Sequence, residues 1–150
     1  MEYYVYINFY KFKTFMQSIN ITIKPDENIW FTSDLHFFHE NIIKFCGRPY
    51  YSIEDMNESL IKNWNDTVGK DDKVFVLGDF VLRRGKSETA KIINQLNGDI
   101  YLVPGNHDKV EAYAGCDKNR FHVCSDITYL RLRPENKDDE RFKHSEYILV

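Results

Sequence analysis

Ile29-Trp30-Phe31-Thr32-Ser33-Asp34-Leu35-His36 is the stretch on which the fold turns. A short β-prone apolar run leads directly into an acid and an imidazole two positions apart. Lys24-Pro25-Asp26-Glu27-Asn28 breaks the chain just before it, so the run reads as a first central strand. The same arrangement recurs downstream. Lys73-Val74-Phe75-Val76-Leu77 runs into Gly78-Asp79, and the run from Asp99 to Val103 ends in Pro104-Gly105-Asn106-His107-Asp108. A nearly all-apolar strand such as 73–77 is expected where both faces of a sheet are covered.

Helical patterns fill the intervals. His39 to Phe45 carries Ile42, Ile43 and Phe45, a short helix ended by Gly47 and Pro49. Ser52 is placed to cap the next helix, with Asp55 three residues on. Ile53, Met56, Leu60, Ile61 and Trp64 then recur at helical spacing and form one apolar stripe, and Gly69 is the expected stop. Ser87 is expected to cap a third helix running through Leu96, with Ile92, Ile93 and Leu96 inward and Gly98 just beyond. Strand alternating with helix argues for a layered α/β domain. Residues 29–150 form that domain on this reading, and residues 1–28 are an N-terminal extension or an extra strand. In the tail, Phe121 to Cys124 and Ile127 to Leu132 are expected as strands of a second sheet. Pro134 to Arg141 reads as a charged turn, and Tyr147 to Val150 as a buried strand.

Composition narrows the class. The chain has 150 residues, 43% of them hydrophobic and 29% charged, which suits one soluble globular domain with a substantial core. Net charge is −3 and no long basic run appears, so global electrostatics argue against a nucleic-acid binder. Cys46, Cys116 and Cys124 are odd in number and contain no C-x-x-C, which points to reduced thiols in a cytoplasmic protein. No stretch approaches the ~20 apolar residues of a membrane helix. The aromatic segment Met1 to Phe15 lacks the basic start and cleavage site of a secretory signal.

The chemistry sits where the strands end. In open α/β sheets, function gathers at the carboxyl edge of the strands, and Asp34, Asp79 and Asn106 all fall there. Asp34 and His36 are two apart, so an extended backbone sends both side chains the same way. Gly78 leaves room for a tight turn beside Asp79. A carboxylate can bridge two cations, and an asparagine carbonyl adds a ligand without charge. Mixed oxygen and nitrogen donors suit Mn²⁺, Fe or Zn²⁺ better than a thiolate-preferring metal. Taken singly, each string is an everyday turn. Three in order, each after an apolar strand, supply the parts of a two-metal hydrolytic site.

The set Asp34-x-His36, Gly78-Asp79 and Gly105-Asn106-His107-Asp108 resembles the calcineurin-like metallophosphoesterase superfamily. Trp30 to Asp108 carries the resemblance, and Phe31 to Ile43 is similar to the small bacterial and phage members. The resemblance implies an αββα sandwich, two divalent metals with a bridging hydroxide, and hydrolysis of a phosphomonoester or phosphodiester. Mn²⁺ is the expected metal, with Fe, Zn²⁺ or Mg²⁺ as alternatives. By position, Asp34 and His36 would hold the first metal, Asp79 would bridge, and Asn106 would hold the second. His107 would contact phosphate or protonate the leaving oxygen, and Asp108 would either orient His107 or cap the turn. His39, Arg83 and Arg84 are substrate-contact candidates. The other readings are a helix start for His39 and a solvated basic turn for the two arginines. Arg48 is read as an anion contact or as a surface residue beside Pro49.

Two departures mark the chain. Many members read Gly-Asp-x-x-Asp-Arg at the second motif, and here Leu82 replaces the second acid. The family's later histidine motifs have no counterpart, since His122 and His144 stand outside strand ends and read as surface or core residues. The chain is therefore expected to be a fragment or truncated product whose second sheet is incomplete. The expected partner is a phosphorylated small molecule, with no membrane and nucleic acid disfavoured. The rival is a catalytically impaired module of the same fold that binds a phosphorylated ligand or a protein.

Overall fold

Alternating burial along the strands builds two sheets and two cores. A computed structural model describes residues 17–136, 138–140 and 145–150. The elements run β1 (Gln17–Ile23), β2 (Ile29–Ser33), α1 (Glu40–Phe45), α2 (Ile53–Thr67), β3 (Lys73–Leu77), α3 (Lys86–Ile93), β4 (Asp99–Val103), a 3₁₀ turn (Val110–Gly115), β5 (Phe121–Val123), β6 (Thr128–Pro134) and β7 (Ser145–Leu149). The first sheet has the order β2-β3-β4-β5 and is wholly parallel. The second has the order β1-β6-β7, with β1 parallel and β7 antiparallel to β6.

The period of two along β3 and β4 decides which core each residue joins. Val74, Val76, Ile100 and Leu102 face the helices and pack with Trp64, Val68, Ile92, Ile93 and Leu96. Phe75, Leu77, Tyr101 and Val103 face the other way, toward Ile21, Ile23, Leu130 and Leu132 of the second sheet. Strand β3 is thus covered on both sides, which accounts for its unbroken apolar run. The chain is a layered α/β sandwich: helices, first sheet, second sheet. The far face of the second sheet is polar, where Arg131 and Arg133 meet Glu146 at 2.8 and 3.7 Å.

Helix α2 follows its sequence signals closely. Ser52 Oγ accepts from the Asp55 N–H at 3.1 Å, and Met56 and Trp64 are buried. Three expectations change. Ser87 does not cap α3; the helix starts at Lys86 with Gly85 as its cap, and Ser87 lies inside the first turn. The helix closes at Ile93 because the following turn tightens, Gln95 and Leu96 donating to the carbonyls of Ile92 and Ile93. Residues 121–123 join the first sheet beside β4, not the second. Phe121 is drawn there by the rings of Phe80 and Tyr113, at 6.0 and 5.2 Å. Finally, β7 is the last strand of its sheet among the described residues, and in it Leu149 is buried while Tyr147 and Ile148 remain exposed. The aromatic Met1 to Phe15 segment lies outside the described residues. Among the described residues no helix is long and apolar enough to cross a membrane.

Register positions the site. Ser33 pairs with Leu77, and Leu77 with Val103. The residues that follow, Asp34, Gly78 and Pro104, therefore leave the sheet level with one another on the same edge.

Candidate metal centre

Backbone geometry at this edge is unusual. Asp34, His36, Phe38, Asp79 and Arg83 all have positive φ, at 54°, 55°, 64°, 45° and 44°. Each such non-glycine residue costs ~1–3 kcal/mol, so surrounding contacts must enforce it. Those contacts are present. The N–H groups of Asp34, His36 and Phe37 donate to the carbonyls of Gly78, Asp79 and Phe80 at 3.2, 2.8 and 2.9 Å. The buried Asn57 side chain of α2 accepts from the Phe38 N–H at 3.1 Å. Phe37 and Phe80 are fully buried beneath the loops, and their rings meet edge to face at 5.7 Å. This apolar floor fixes the loops from below.

Three side chains then converge. His36 Nε2 lies 3.8 Å from Asp34 Oδ1 and 3.7 Å from Asp79 Oδ2. One donor atom from each of the three residues falls within 4.8 Å of the others. The separations from the imidazole exceed hydrogen-bond range, so the acids are gathered around it without being bonded to it. Burial depresses the His36 pKa, outweighing the raising effect of the Asp79 and Asp34 charges. Near neutral pH the imidazole is therefore uncharged, the form that ligates metals. Two carboxylates and a neutral imidazole, oxygen and nitrogen donors only, fit a hard or borderline divalent cation.

The third loop is pressed against Asp79. A Cβ on Gly105 would fall 2.3 Å from Asp79 Oδ1 and 2.6 Å from its backbone nitrogen. Only glycine lets the loops approach this closely. The His107 N–H donates to Asp79 Oδ1 at 3.0 Å, which orients the carboxylate. Asn106 is exposed in the same turn, between Gly105 and His107. The Asp108 carboxylate accepts from the N–H groups of Gly105, Phe80 and Val81 at 2.8, 3.0 and 3.3 Å. The buried Tyr113 hydroxyl also donates to it. Its bonds thus cap the turn and tie the second and third loops together.

A cleft of about 320 Å³ opens beside these loops, lined in part by Phe38, His39, Leu82, Arg83 and His107. The rings of His36, His39 and His107 stand 5.2, 5.8 and 6.0 Å apart in a triangle. His39 precedes α1 directly and also lines the cleft. Arg84 stacks beside the cleft: its guanidinium lies 4.8 Å over the ring of the cleft residue Phe38 and its Nε is 4.0 Å from Glu88. His122 is remote from this edge, in β5, stacked on Tyr101 at 4.6 Å. His144 is outside the described residues.

Sequence reasoning missed Asn57 and Tyr113. Asn57 had a signal, a polar residue next to Met56 on the buried side of α2. Tyr113 had none, because an aromatic in a short irregular segment looks like ordinary core.

Comparison with known proteins gives the family. The model of the calcineurin-like phosphoesterase family matches residues 27–147. An uncharacterized protein of Methanocaldococcus jannaschii is 49% identical over 82 residues, covering 54% of this chain and 47% of that protein. The gene 66 protein of Mycobacterium phage L5 is 36% identical over 83 residues, covering 54% of this chain and 40% of the phage protein. The chain thus spans about half the length of the curated relatives it matches. The crystal structure of a protein of unknown function from Aquifex aeolicus superposes with a TM-score of 0.54 at 30% identity, covering 68% of this chain and 53% of that one. With the family match extending from the start of the first sheet's strands into β7, the chain belongs to the calcineurin-like phosphoesterase family.

Proposed function

We propose that this protein hydrolyses phosphate esters of small molecules with the help of two divalent cations, Mn²⁺ foremost. The reading is carried by one observation: Asp34, His36 and Asp79 reach a common point from two different strand ends. Asp34 and His36 would hold one cation, Asp79 would be shared, and Asn106 would contribute to the second. Bound there, the cations supply positive charge that activates water and polarises a phosphoryl oxygen.

The chain's own groups do the rest. Asp79 is held in orientation by the His107 N–H, so its second oxygen stays turned toward His36. The His107 ring borders the cleft and is placed to give a proton to the departing oxygen. Arg83 and His39 line the same cleft and would meet the phosphate. Leu82, also in that lining, offers no charge, so it shapes the cleft and assists no proton transfer. Asp108 positions His107 indirectly by fixing the turn that carries it.

The test is turnover of a chromogenic phosphomonoester and a chromogenic phosphodiester with added Mn²⁺. Hydrolysis of either, lost in Asp79→Asn, supports the enzyme. Binding of inorganic phosphate without turnover under Mn²⁺, Fe²⁺, Zn²⁺ or Mg²⁺ overturns it in favour of a phospholigand-binding module.

A further inference from the structure

Arg48 sits in the loop between α1 and α2, outside both apolar cores. Its side chain turns back to the segment that carries Asp34 and His36. Nη2 donates to the Asp34 carbonyl at 2.7 Å, and Nη1 to the Leu35 carbonyl at 2.8 Å. Met56 Sδ lies 3.6 Å from the same Nη1. In an extended strand successive residues alternate sides, so neighbouring carbonyls point apart and one planar fork cannot take both. Here one fork takes both carbonyls, so the chain is bent rather than extended at Leu35, the residue between the two peptide planes. The guanidinium therefore reads a bend at Leu35, between the two residues whose φ is positive. Each terminal nitrogen thus gives an N–H to a main-chain oxygen, which ties the guanidinium to this segment.

We propose that Arg48 is a positioning residue for the first metal. Its fork locks the backbone from Asp34 to His36 so that the carboxylate and imidazole face Asp79. The proposal rests on the metal-site reading above. A lysine would not serve, because an ammonium is a point charge and cannot hold two carbonyls in one plane.

The test is Mn²⁺ uptake, followed by the resonance signal of free Mn²⁺ as metal-free protein is titrated. Wild type, Arg48→Ala and Arg48→Lys are compared, and melting temperatures are taken in chelator. Both variants are expected to bind Mn²⁺ ~10–100-fold more weakly, the range seen when a partner that orients a ligand is removed. Metal-free melting should stay within a few degrees of wild type. Millimolar methylguanidinium should restore part of the affinity to Arg48→Ala, and methylamine should not. Unchanged Mn²⁺ affinity in Arg48→Ala overturns the proposal, as does full affinity in Arg48→Lys. A large fall in metal-free melting temperature makes Arg48 a fold residue and also overturns it. If wild type itself takes up no Mn²⁺, the metal-site reading fails, and this one with it.

Discussion

Asp72 and Asp79 flank opposite ends of β3 and are both buried, yet their surroundings are chemical opposites. Asp72 Oδ1 accepts from the Asn28 backbone N–H and side-chain amide at 2.8 and 3.2 Å. Its Oδ2 accepts from Trp30 Nε1 at 2.8 Å and from the Gly69 N–H at 2.9 Å. Burial alone would push this carboxyl up, but those donors reverse the effect and hold it below the ordinary range. Among the described residues, Asp79 accepts the His107 N–H on one oxygen, while the other faces an imidazole beyond bonding distance. A carboxylate whose lone pairs are filled fastens chain segments together. One whose lone pairs face another acid and a neutral ring has the surroundings that the proposed cation would complete. The two ends of one strand therefore divide stability from chemistry.

Substitution at each end separates the two roles. The largest effect is expected from Asp79→Asn, which should weaken Mn²⁺ binding by about 10³-fold, an order beyond the loss usual for an outer-shell partner. Its metal-free melting temperature should barely move, because the amide oxygen can still accept from His107. A titration of metal-free protein checks this, and equal Mn²⁺ affinity in the two proteins would break the contrast. Asp72→Ala should do the reverse. It strands Trp30 Nε1 and two backbone N–H groups, for a loss of about 3 kcal/mol in urea unfolding, with Mn²⁺ affinity intact in the folded fraction.

Gly105→Ala probes the junction between the two regimes. Its Cβ cannot stand 2.3 Å from Asp79 Oδ1, so the third loop must shift. A destabilisation of ~1–3 kcal/mol is expected, with weaker Mn²⁺ uptake alongside it. Stability unchanged by the extra methyl would show that the loops are not in close contact.

Acid pH sharpens the comparison further. Glu27 and Asp72 both have folded-state pKa values below their ordinary 4.5 and 3.8. For Glu27, burial acts upward and is outweighed by the Lys24 N–H and the Lys73 and Lys24 ammonium groups. A folded pKa below the unfolded one means the folded state binds fewer protons in that window. Their contribution is complete above the ordinary carboxylate range and drains away as pH falls through the depressed values. Urea unfolding at stepped pH should therefore show a steep loss below about pH 4.5. In Asp72→Asn that limb should be shallower. The smallest effect is expected from Ser52→Ala, which removes the α2 cap for ~1 kcal/mol and leaves metal binding alone.

Local signals determined much of this molecule. Short β-prone runs that break abruptly into Gly, Asp, Asn and His mark strand ends, and β2, β3 and β4 lie where those runs lie. The Ser52 cap and the apolar stripe of α2 were legible because helix starts and faces depend on residues within a turn or two of each other. The donor types at the strand ends were legible for the same reason. What the sequence could not carry is everything that depends on neighbours remote along the chain. Register between parallel strands puts Asp34 level with Gly78, one residue before Asp79. Long-range bonds from Gly78, Asp79, Asn57 and Arg48 hold the left-handed backbone at 34–38. Phe121 enters the first sheet, and the 121–123 strand with it, because an aromatic cluster on distant segments receives it. A site of this kind is a meeting of segments whose separate preferences are weak, and only packing makes them meet.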